Sequence, residues 1–349
     1  MSKMLHHKSL FQKSISRHVF CRHFLHRNLR PKPSRGSNGV GNDDEEYGGG
    51  GEMIRRKENQ EVNINLLKSR GQHLLTNPRI LDSIVRKSGI LPTDTVLEIG
   101  PGTGNLTLKL LNVAGKVIAI EVDKRMIEIL NKRVAEHGLR DKLTVVCQDA
   151  LKTEFPQFDL MVANIPYGIS SPLVAKVVFG TTSYRSATLL LQKEFARRLL
   201  ANPGNSEFNR LAANVKLVAD VELVMDVSKR DFLPCPKVDS SVVKIHPKPS
   251  IPDVNLDEWL AFTRTCFTKK NKTLGAIFKQ KRMLMELLKL QGVKEAQEVV
   301  ELTSFKEMVI NVLSFGGFDD KRPSKLSHEE LLHLLSLFNQ AGISFHGPT

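Results

Sequence analysis

The chain has 349 residues, of which 41% are hydrophobic and 25% are charged, and its formal net charge is +14. This composition is typical of a globular protein with one large domain or two moderate ones, and no apolar stretch approaches the roughly 18 residues that a membrane-spanning helix needs. The four cysteines are widely spaced and include no C-x-x-C pair. That pattern favours neither a metal site of the zinc type nor a disulfide framework.

Much of the positive charge lies at the N-terminus. Residues 1–42 contain nine Lys/Arg, five His and no acidic residue, and without those nine the chain has 42 Lys/Arg against 37 acidic residues, a net charge of +5. Apolar residues recur at near-helical spacing between Met4 and Phe20, without the apolar core of a secretory signal. These features predict an organelle transit peptide, and a disordered basic arm that contacts nucleic acid is the alternative.

A glycine-rich segment, residues 36–51, follows this basic region. Such a composition is typical of a flexible linker, so we expect the folded protein to begin near Met53. The chain then divides into three parts: a transit peptide with its linker (1–52), an α/β domain (53–248) and a helical domain (249–349).

The α/β domain is predicted from short apolar runs that alternate with helical patterns. A helix is expected to begin at Pro78–Leu81. Strands follow at Thr95–Ile99, Lys116–Ile120, Leu143–Val146, Leu160–Ala163 and Thr188–Leu191, with helices at Leu106–Asn112 and Lys124–His137. Strands that alternate with helices form βαβ units, which predicts a parallel sheet covered by helices.

Two later apolar runs, Val215–Val227 and Ser240–Ile245, are separated by a turn that contains Pro234 and Pro236. We expect them to form an antiparallel pair that completes the sheet. From Trp259 onward the pattern is helical. The predicted helices are Trp259–Cys266, Met283–Leu290, Ala296–Glu301, Glu307–Leu313 and Glu329–Gln340.

A glycine-rich turn follows the first strand of the sheet. The motif is E-x-G-x-G-x-G and comprises Glu98, Gly100, Gly102 and Gly104. Glycine at a strand-to-helix turn lets the backbone approach a ligand closely. The dinucleotide fingerprint G-x-G-x-x-G would need glycine at position 105, where Asn105 stands. A turn of this kind also serves other nucleotides, and in some proteins it only permits tight packing.

Acidic residues stand at the ends of the next two strands. Glu121 can accept hydrogen bonds from both hydroxyls of a ribose, and Asp149 can accept one from an adenine amino group. Taken with the glycine turn, this arrangement fits a nucleoside that lacks a pyrophosphate. S-adenosylmethionine is the cofactor that we expect.

The fourth strand leads into Asn164-Ile165-Pro166-Tyr167. This tetrapeptide resembles the N-[PI]-P-[YF] signature of methyltransferases that modify exocyclic amino groups of bases. The Asn164 side-chain oxygen and the Ile165 carbonyl can accept both hydrogens of an adenine N6, which directs the nitrogen lone pair toward the methyl donor. Tyr167 would stack on a base that has left its helix or loop. A strand-ending Asn followed by a Pro turn is the simpler interpretation of the tetrapeptide alone.

Further motifs extend this resemblance. Between Leu66 and Phe345 the sequence resembles the ribosomal RNA adenine dimethyltransferases, which make N6,N6-dimethyladenosine in small-subunit rRNA. Besides the motifs above, it is carried by the segments Lys68–Leu75, Asp149–Ala150, Phe232–Val243 and Phe267–Leu274. The sequence departs from the pattern of bacterial members at His73, where they have Asn, and it has Cys235 between two prolines.

The resemblance implies a seven-stranded, mostly parallel, Rossmann-like methyltransferase sheet over 53–248 and a small all-helical RNA-binding domain over 249–349. By the same resemblance, Gln72, His73 and Leu75 would lie over the methionine end of the cofactor. Phe232 would hold the target adenine opposite Tyr167. We expect a monomer whose partner is small-subunit rRNA or the pre-ribosomal small subunit, with no membrane association.

A basic segment, residues 264–282, contains seven Lys/Arg and no acidic residue. Structured rRNA is held largely through its phosphates, so the segment fits an RNA contact surface, although each Lys alone is more typical of a solvated helix face. The candidate RNA-binding residues are Arg264, Lys269, Lys270 and Lys272.

Four functions are compatible with these motifs. The leading hypothesis is dimethylation of adjacent adenosines near the 3′ end of mitochondrial small-subunit rRNA in the matrix. The same reaction on cytosolic rRNA precursors in the nucleolus is the nearest alternative. Large-subunit rRNA methylation, as in the macrolide-resistance group, is disfavoured by the long helical C-terminal region. A non-enzymatic role resembling the mitochondrial transcription factors B, or one in ribosome assembly, is the alternative of a different class.

Overall fold

The computed structural model describes residues 73–292 and 298–347. The predicted transit peptide, the glycine-rich linker and Gln72 lie outside these ranges. Within them, no helix combines the length and the apolar character that crossing a membrane requires.

A seven-stranded sheet forms the centre of the α/β half. Its strands are β2 (Thr95–Ile99), β3 (Lys116–Glu121), β4 (Leu143–Cys147), β5 (Leu160–Asn164), β6 (Ser186–Gln192), β7 (Ala219–Val227) and β9 (Ser240–Pro247). They lie in the order β4-β3-β2-β5-β6-β9-β7. Strands β2 to β6 are parallel, and β9 runs antiparallel to both of its neighbours. The predicted parallel sheet and its closing antiparallel pair are confirmed.

Two short strands, β1 (Leu74–Leu75) and β8 (Phe232–Leu233), form a separate antiparallel pair. The helices are α1 (Pro78–Ser88), α2 (Asn105–Leu111), α3 (Lys124–Glu136), α4 (Ser170–Phe179), α5 (Lys193–Leu200) and α6 (Arg210–Val218), followed in the C-terminal half by α7 (Leu256–Cys266), α8 (Leu274–Phe278), α9 (Lys281–Leu290), α10 (Glu298–Phe315) and α11 (His328–Gln340).

Local sequence explains where the first helices begin and end. The Asn77 side chain accepts the N–H of Arg79, and Pro78 occupies the first helical position, where no N–H is needed. Helix α1 ends at Gly89, whose φ of 70° is left-handed. The Asp123 side chain caps α3 by accepting the N–H of Arg125.

The order of the strands creates the site. From β2 the chain builds β3 and β4 on one side, then crosses to build β5 and β6 on the other. Neighbouring loops after β2 and β5 therefore diverge, and ligands of open α/β sheets bind at such a switch point. The two loops that flank this point carry the glycine turn and Asn164–Tyr167.

Three predicted elements were wrong in extent. The first part of the predicted strand Val215–Val227 is the end of helix α6, because Asn209 accepts the N–H groups of Leu211 and Ala212 and starts a helix there. The predicted helix Glu307–Leu313 and the described part of the predicted helix Ala296–Glu301 belong to one helix, α10. No Gly or Pro interrupts α10, and Phe305, Val309 and Val312 keep a helical spacing into the core.

The C-terminal helices surround an apolar cluster that includes Trp259, Phe262 and Phe338, all of them fully buried. Phe179 from α4 and Leu217 from α6 belong to the same cluster. The helical half therefore packs directly on the helices that cover the sheet. A division between 248 and 249 stays a prediction, since one apolar cluster extends across it.

Candidate active site

The turn after β2 needs glycine for its conformation and for its packing. Gly100, Gly102 and Gly104 have φ values of 69°, 56° and 90°. A Cβ on Gly102 would lie 2.8 Å from Leu74 Cδ2, and one on Gly104 would lie 2.6 Å from Leu130 Cδ1. Side chains at these three positions would strain the backbone, and at Gly102 and Gly104 they would also crowd the neighbouring leucine side chains.

Glu98 is the buried acid of this turn. Its side chain is 1% exposed, and its Oε2 has no hydrogen-bond partner among the described residues. Burial raises the pKa of Glu98 to about 8, and the nearby Glu121 charge acts in the same direction. A buried polar atom without a partner is costly, so this oxygen is available to a ligand that brings a donor or a positive charge.

The Glu121 carboxylate is fixed at the end of β3. Its Oε1 accepts the N–H groups of Val122 and Asp123, each at 2.9 Å, and its Oε2 lies 3.4 Å from the Gly102 nitrogen. The main chain therefore sets the direction of this carboxylate beside the glycine turn. Lone pairs remain on both oxygens for the hydroxyl groups of a ligand.

Asn164 ends β5 and faces the same cleft. Its Nδ2 donates to the main-chain carbonyl of His73 at 3.1 Å. Because the amide nitrogen is engaged there, Oδ1 is the atom of this side chain that remains to accept hydrogen bonds from a ligand.

The His73 ring organises the far side of the cleft. Its Nδ1–H donates to the Pro234 carbonyl at 2.8 Å, and the ring stacks on Tyr167 with a centroid distance of 5.6 Å. The Tyr167 hydroxyl hydrogen-bonds to Ser240 Oγ at 2.9 Å. Burial raises the pKa of Tyr167. Sequence reasoning related His73 only to the cofactor and did not find these contacts with the proposed base-binding residues.

The structure brings most of the predicted site residues into one cleft. Those that line it are His73, Leu75, Glu98, Gly100, Gly102, Glu121, Asn164, Ile165, Pro166 and Tyr167. It is also lined by Asn105, Leu106 and Met126, which motif reasoning missed because apolar and amide side chains at helix starts carry no distinctive pattern.

Three predicted residues do not line the cleft in the described part of the chain. Gly104 is the residue that precedes α2 at its N-terminus. Asp149 follows β4, and its Oδ1 accepts the N–H of Leu151 at 2.9 Å. Phe232 is 3% exposed and packs in the apolar cluster that includes Leu75, its partner in the β1–β8 pair. Contact of Phe232 with a target base stays a prediction.

The candidate RNA-binding residues differ from one another. Lys270 donates through Nζ to the carbonyls of Ser206 at 2.7 Å and Phe208 at 3.4 Å, so its charge is used within the protein. Arg264, Lys269 and Lys272 are exposed. Elsewhere in the basic segment, Lys279 pairs with Asp319 and Arg282 with Glu286.

The chain is similar to known proteins over most of its length. The model of the ribosomal RNA adenine dimethylase family matches residues 63–310. A mitochondrial ribosomal RNA small subunit methyltransferase from Arabidopsis thaliana is 62% identical over 323 residues, which cover 85% of each chain. A probable dimethyladenosine transferase from Caenorhabditis elegans is 46% identical over 280 residues, covering 79% of this chain and 91% of the relative.

Solved structures give the same relationship. A dimethyladenosine transferase from Plasmodium falciparum superposes with a TM-score of 0.70 at 44% identity, and the match covers 78% of this chain and 99% of that one. The 23S rRNA methyltransferase ErmE superposes with a TM-score of 0.55 at 25% identity, covering 76% and 100%.

Proposed function

The chain belongs to the ribosomal RNA adenine dimethylase family and is a methyltransferase, and from that premise we propose its reaction and its substrate. It transfers methyl groups from S-adenosylmethionine to N6 of adjacent adenosines near the 3′ end of mitochondrial small-subunit rRNA. The product is N6,N6-dimethyladenosine.

The residues present fit the cofactor. Bound S-adenosylmethionine supplies a methyl group on a positively charged sulfur. The glycine turn gives space for close approach of a nucleoside, Glu121 offers a fixed carboxylate to the ribose hydroxyls, and the partnerless Oε2 of Glu98 can receive the amino group of the methionine part. His73 and Leu75 cover the cleft from the β1 side.

The acceptor adenosine meets Asn164 and its neighbours. The Asn164 Oδ1 and the Ile165 carbonyl accept the two N6 hydrogens, which makes the nitrogen more tetrahedral and concentrates its lone pair. Tyr167 supplies a ring on which the flipped base stacks. The amine becomes acidic once it carries the methyl group, so loss of its proton needs no strong general base in the site. Positioning and hydrogen bonding thus supply the catalysis.

One observation carries the proposal more than any other. The amide nitrogen of Asn164 is held by the His73 carbonyl, which leaves the amide oxygen as the acceptor in a cleft that also holds Glu98 and Glu121. An oriented acceptor beside a nucleoside site is what methylation of an exocyclic amine requires.

The reaction is tested with purified protein, labelled S-adenosylmethionine and a mitochondrial small-subunit rRNA fragment. We expect N6,N6-dimethyladenosine in the digested RNA by mass spectrometry, and none when the two adenosines are replaced by guanosine. Equal or greater transfer to a large-subunit rRNA hairpin would contradict the proposed substrate.

The mitochondrial destination is supported by the acid-free, basic N-terminus and by the name of the relative at 62% identity. Residues 1–40 fused to a fluorescent protein should enter mitochondria, and the fusion should stay outside when Arg17, Arg22 and Arg27 are changed to Glu. Nucleolar accumulation of the full-length protein, with the fusion left in the cytosol, would favour cytosolic rRNA as the substrate.

A further inference from the structure

In the turn that carries Asp149, main-chain N–H groups of the following residues donate back to Asp149. The Asp149 carbonyl accepts the N–H groups of Lys152 and Thr153, each at 2.9 Å. The Asp149 carboxylate accepts the N–H of Leu151 through Oδ1. Because Asp149 accepts the N–H groups of Leu151, Lys152 and Thr153, the carbonyls of the turn need partners from another element.

Lys176 is that partner. Its ammonium donates to the carbonyls of Ala150 at 2.7 Å, Leu151 at 3.2 Å and Thr153. An ammonium is a donor that can serve several acceptors, and here three carbonyls of one turn accept from the same Nζ. The same Nζ lies 4.4 Å from the centroid of the Phe155 ring, which holds the charge from another side.

The position of Lys176 in the chain relates this turn to the acceptor side of the cleft. Helix α4 begins at Ser170, three residues after Tyr167. One helix therefore starts beside the residues proposed to hold the target adenine and, two turns later, holds the turn of Asp149. Neither motif reasoning nor the proposed mechanism assigns a role to Lys176.

Asp149 lies outside the residues that line the cleft, but it follows β4, whose Cys147 pairs with Glu121 of β3. We infer that Lys176 is a positioning residue for cofactor recognition: by binding three carbonyls of the 149–153 turn, it holds the Asp149 carboxylate where it accepts a hydrogen bond from the 6-amino group of an adenine that extends past Glu121. This inference rests on the proposed function, since it takes S-adenosylmethionine as the ligand. It predicts that Lys176 contributes to the choice of purine, which a residue needed only for folding would not do.

The test compares two ligands that differ at one group. S-adenosylhomocysteine carries the 6-amino group, and S-inosylhomocysteine has a carbonyl oxygen there that would face the Asp149 carboxylate. Calorimetry gives both Kd values for the wild type and for Lys176→Met, which keeps the side-chain length without the donors. The matched control is Lys152→Met, because Lys152 is an exposed lysine of the same turn.

We expect the wild type to prefer S-adenosylhomocysteine, and Lys176→Met to lose about tenfold of that preference while Lys152→Met keeps it. In turnover, the loss should fall on KM for the cofactor more than on kcat. Lys176→Met should also add little in an Asp149→Asn background, since both changes act through one carboxylate. Lys176→Arg, which retains charge and donors, should restore most of the preference.

The possible outcomes distinguish a failure of the proposed function from a failure of the inference about Lys176. A wild type that binds neither ligand would overturn the proposed function and this inference with it. A wild type that binds and discriminates, with unchanged discrimination in folded Lys176→Met, would overturn the inference alone. If Lys176→Met does not fold, Lys176→Gln decides: an intermediate preference supports the role, and a wild-type preference refutes it.

Discussion

The cleft and the basic segment 264–282 were both predicted from clusters of residues in the sequence, yet they differ in how those residues are arranged. In the cleft, residues from the ends of β2, β3 and β5 line one site, although they are far apart in the chain. In the basic segment, neighbours in the chain have different roles: Lys270 binds main-chain carbonyls, whereas Lys269 and Lys272 face solvent. Sheet topology collects distant residues at one site, whereas in the turn that contains Lys270 and Lys272 adjacent side chains point to different surroundings.

The largest effect is expected at Asn164. Asn164→Ala removes the acceptor proposed to act on the amine as it becomes tetrahedral, so kcat should fall by about 10²–10³-fold. Cofactor affinity should change little. Single-turnover transfer to the rRNA fragment measures the first quantity and calorimetry the second. Wild-type turnover in this variant would remove Asn164 from the mechanism.

Glu121 tests the other half of the cleft. Glu121→Ala should weaken cofactor binding by about 10- to 100-fold, because the ribose hydroxyls lose a charged acceptor. Glu121→Gln should weaken it less, since the amide oxygen can still accept the N–H groups of Val122 and Asp123. Equal affinity of the wild type and Glu121→Ala by calorimetry would contradict the ribose assignment.

The ionisation of Glu98 should make the stability of the folded protein depend on pH. Its pKa of about 8 in the folded protein lies above the ordinary carboxyl value of 4.5. Between these two values the folded state binds more protons than the unfolded state. The contribution of Glu98 to stability is therefore complete below about pH 4.5 and is lost as the pH rises through about 8. Thermal unfolding of the ligand-free protein should show this loss, of a few kcal/mol at most. Glu98→Gln should lack that part of the pH dependence, and a variant profile parallel to that of the wild type would argue against a protonated Glu98.

The smallest effects are expected at the lysines of the basic segment, where Lys269 and Lys272 should behave differently from Lys270. Changing Lys269 and Lys272 to Gln should lower the slope of log Kd against log salt for rRNA by about 1.5, with unchanged stability. Lys270→Gln should instead lower the free energy of unfolding by about 1 kcal/mol and leave that slope unchanged. If Lys270→Gln lowered the salt slope as the change of Lys269 and Lys272 does, the bonds of Lys270 to Ser206 and Phe208 would not persist in solution.

The strands could be predicted closely because each buried parallel strand is a short apolar run. Thr95–Ile99 matches its predicted bounds, and Lys116–Glu121 extends its prediction by one residue. Helices α4 and α5 were not predicted, since α4 is apolar around most of its surface and α5 is short. The boundary at Val218 was missed because the cap at Asn209 lies upstream of the apolar run.

The members of the site were largely predictable, and their mutual contacts were not. The glycine spacing and the tetrapeptide at Asn164 are local patterns, so sequence alone identifies them. The bond from Asn164 to the His73 carbonyl and those from Lys176 to the 149–153 turn join residues 91 and 23–26 positions apart. Such contacts depend on packing, and the sequence around a lysine in an apolar helix does not indicate which groups the lysine will bind.

The measurement that tests the account most directly maps dimethyladenosine in small-subunit rRNA of mitochondria and of the cytosol, in cells with and without the protein. We expect the adjacent adenosines near the 3′ end of the mitochondrial rRNA to lose both methyl groups when the protein is absent, and to regain them with the wild type but not with Asn164→Ala. Unchanged mitochondrial rRNA together with loss of the cytosolic modification would contradict the assigned substrate. Full methylation in both compartments without the protein would contradict the enzymatic role.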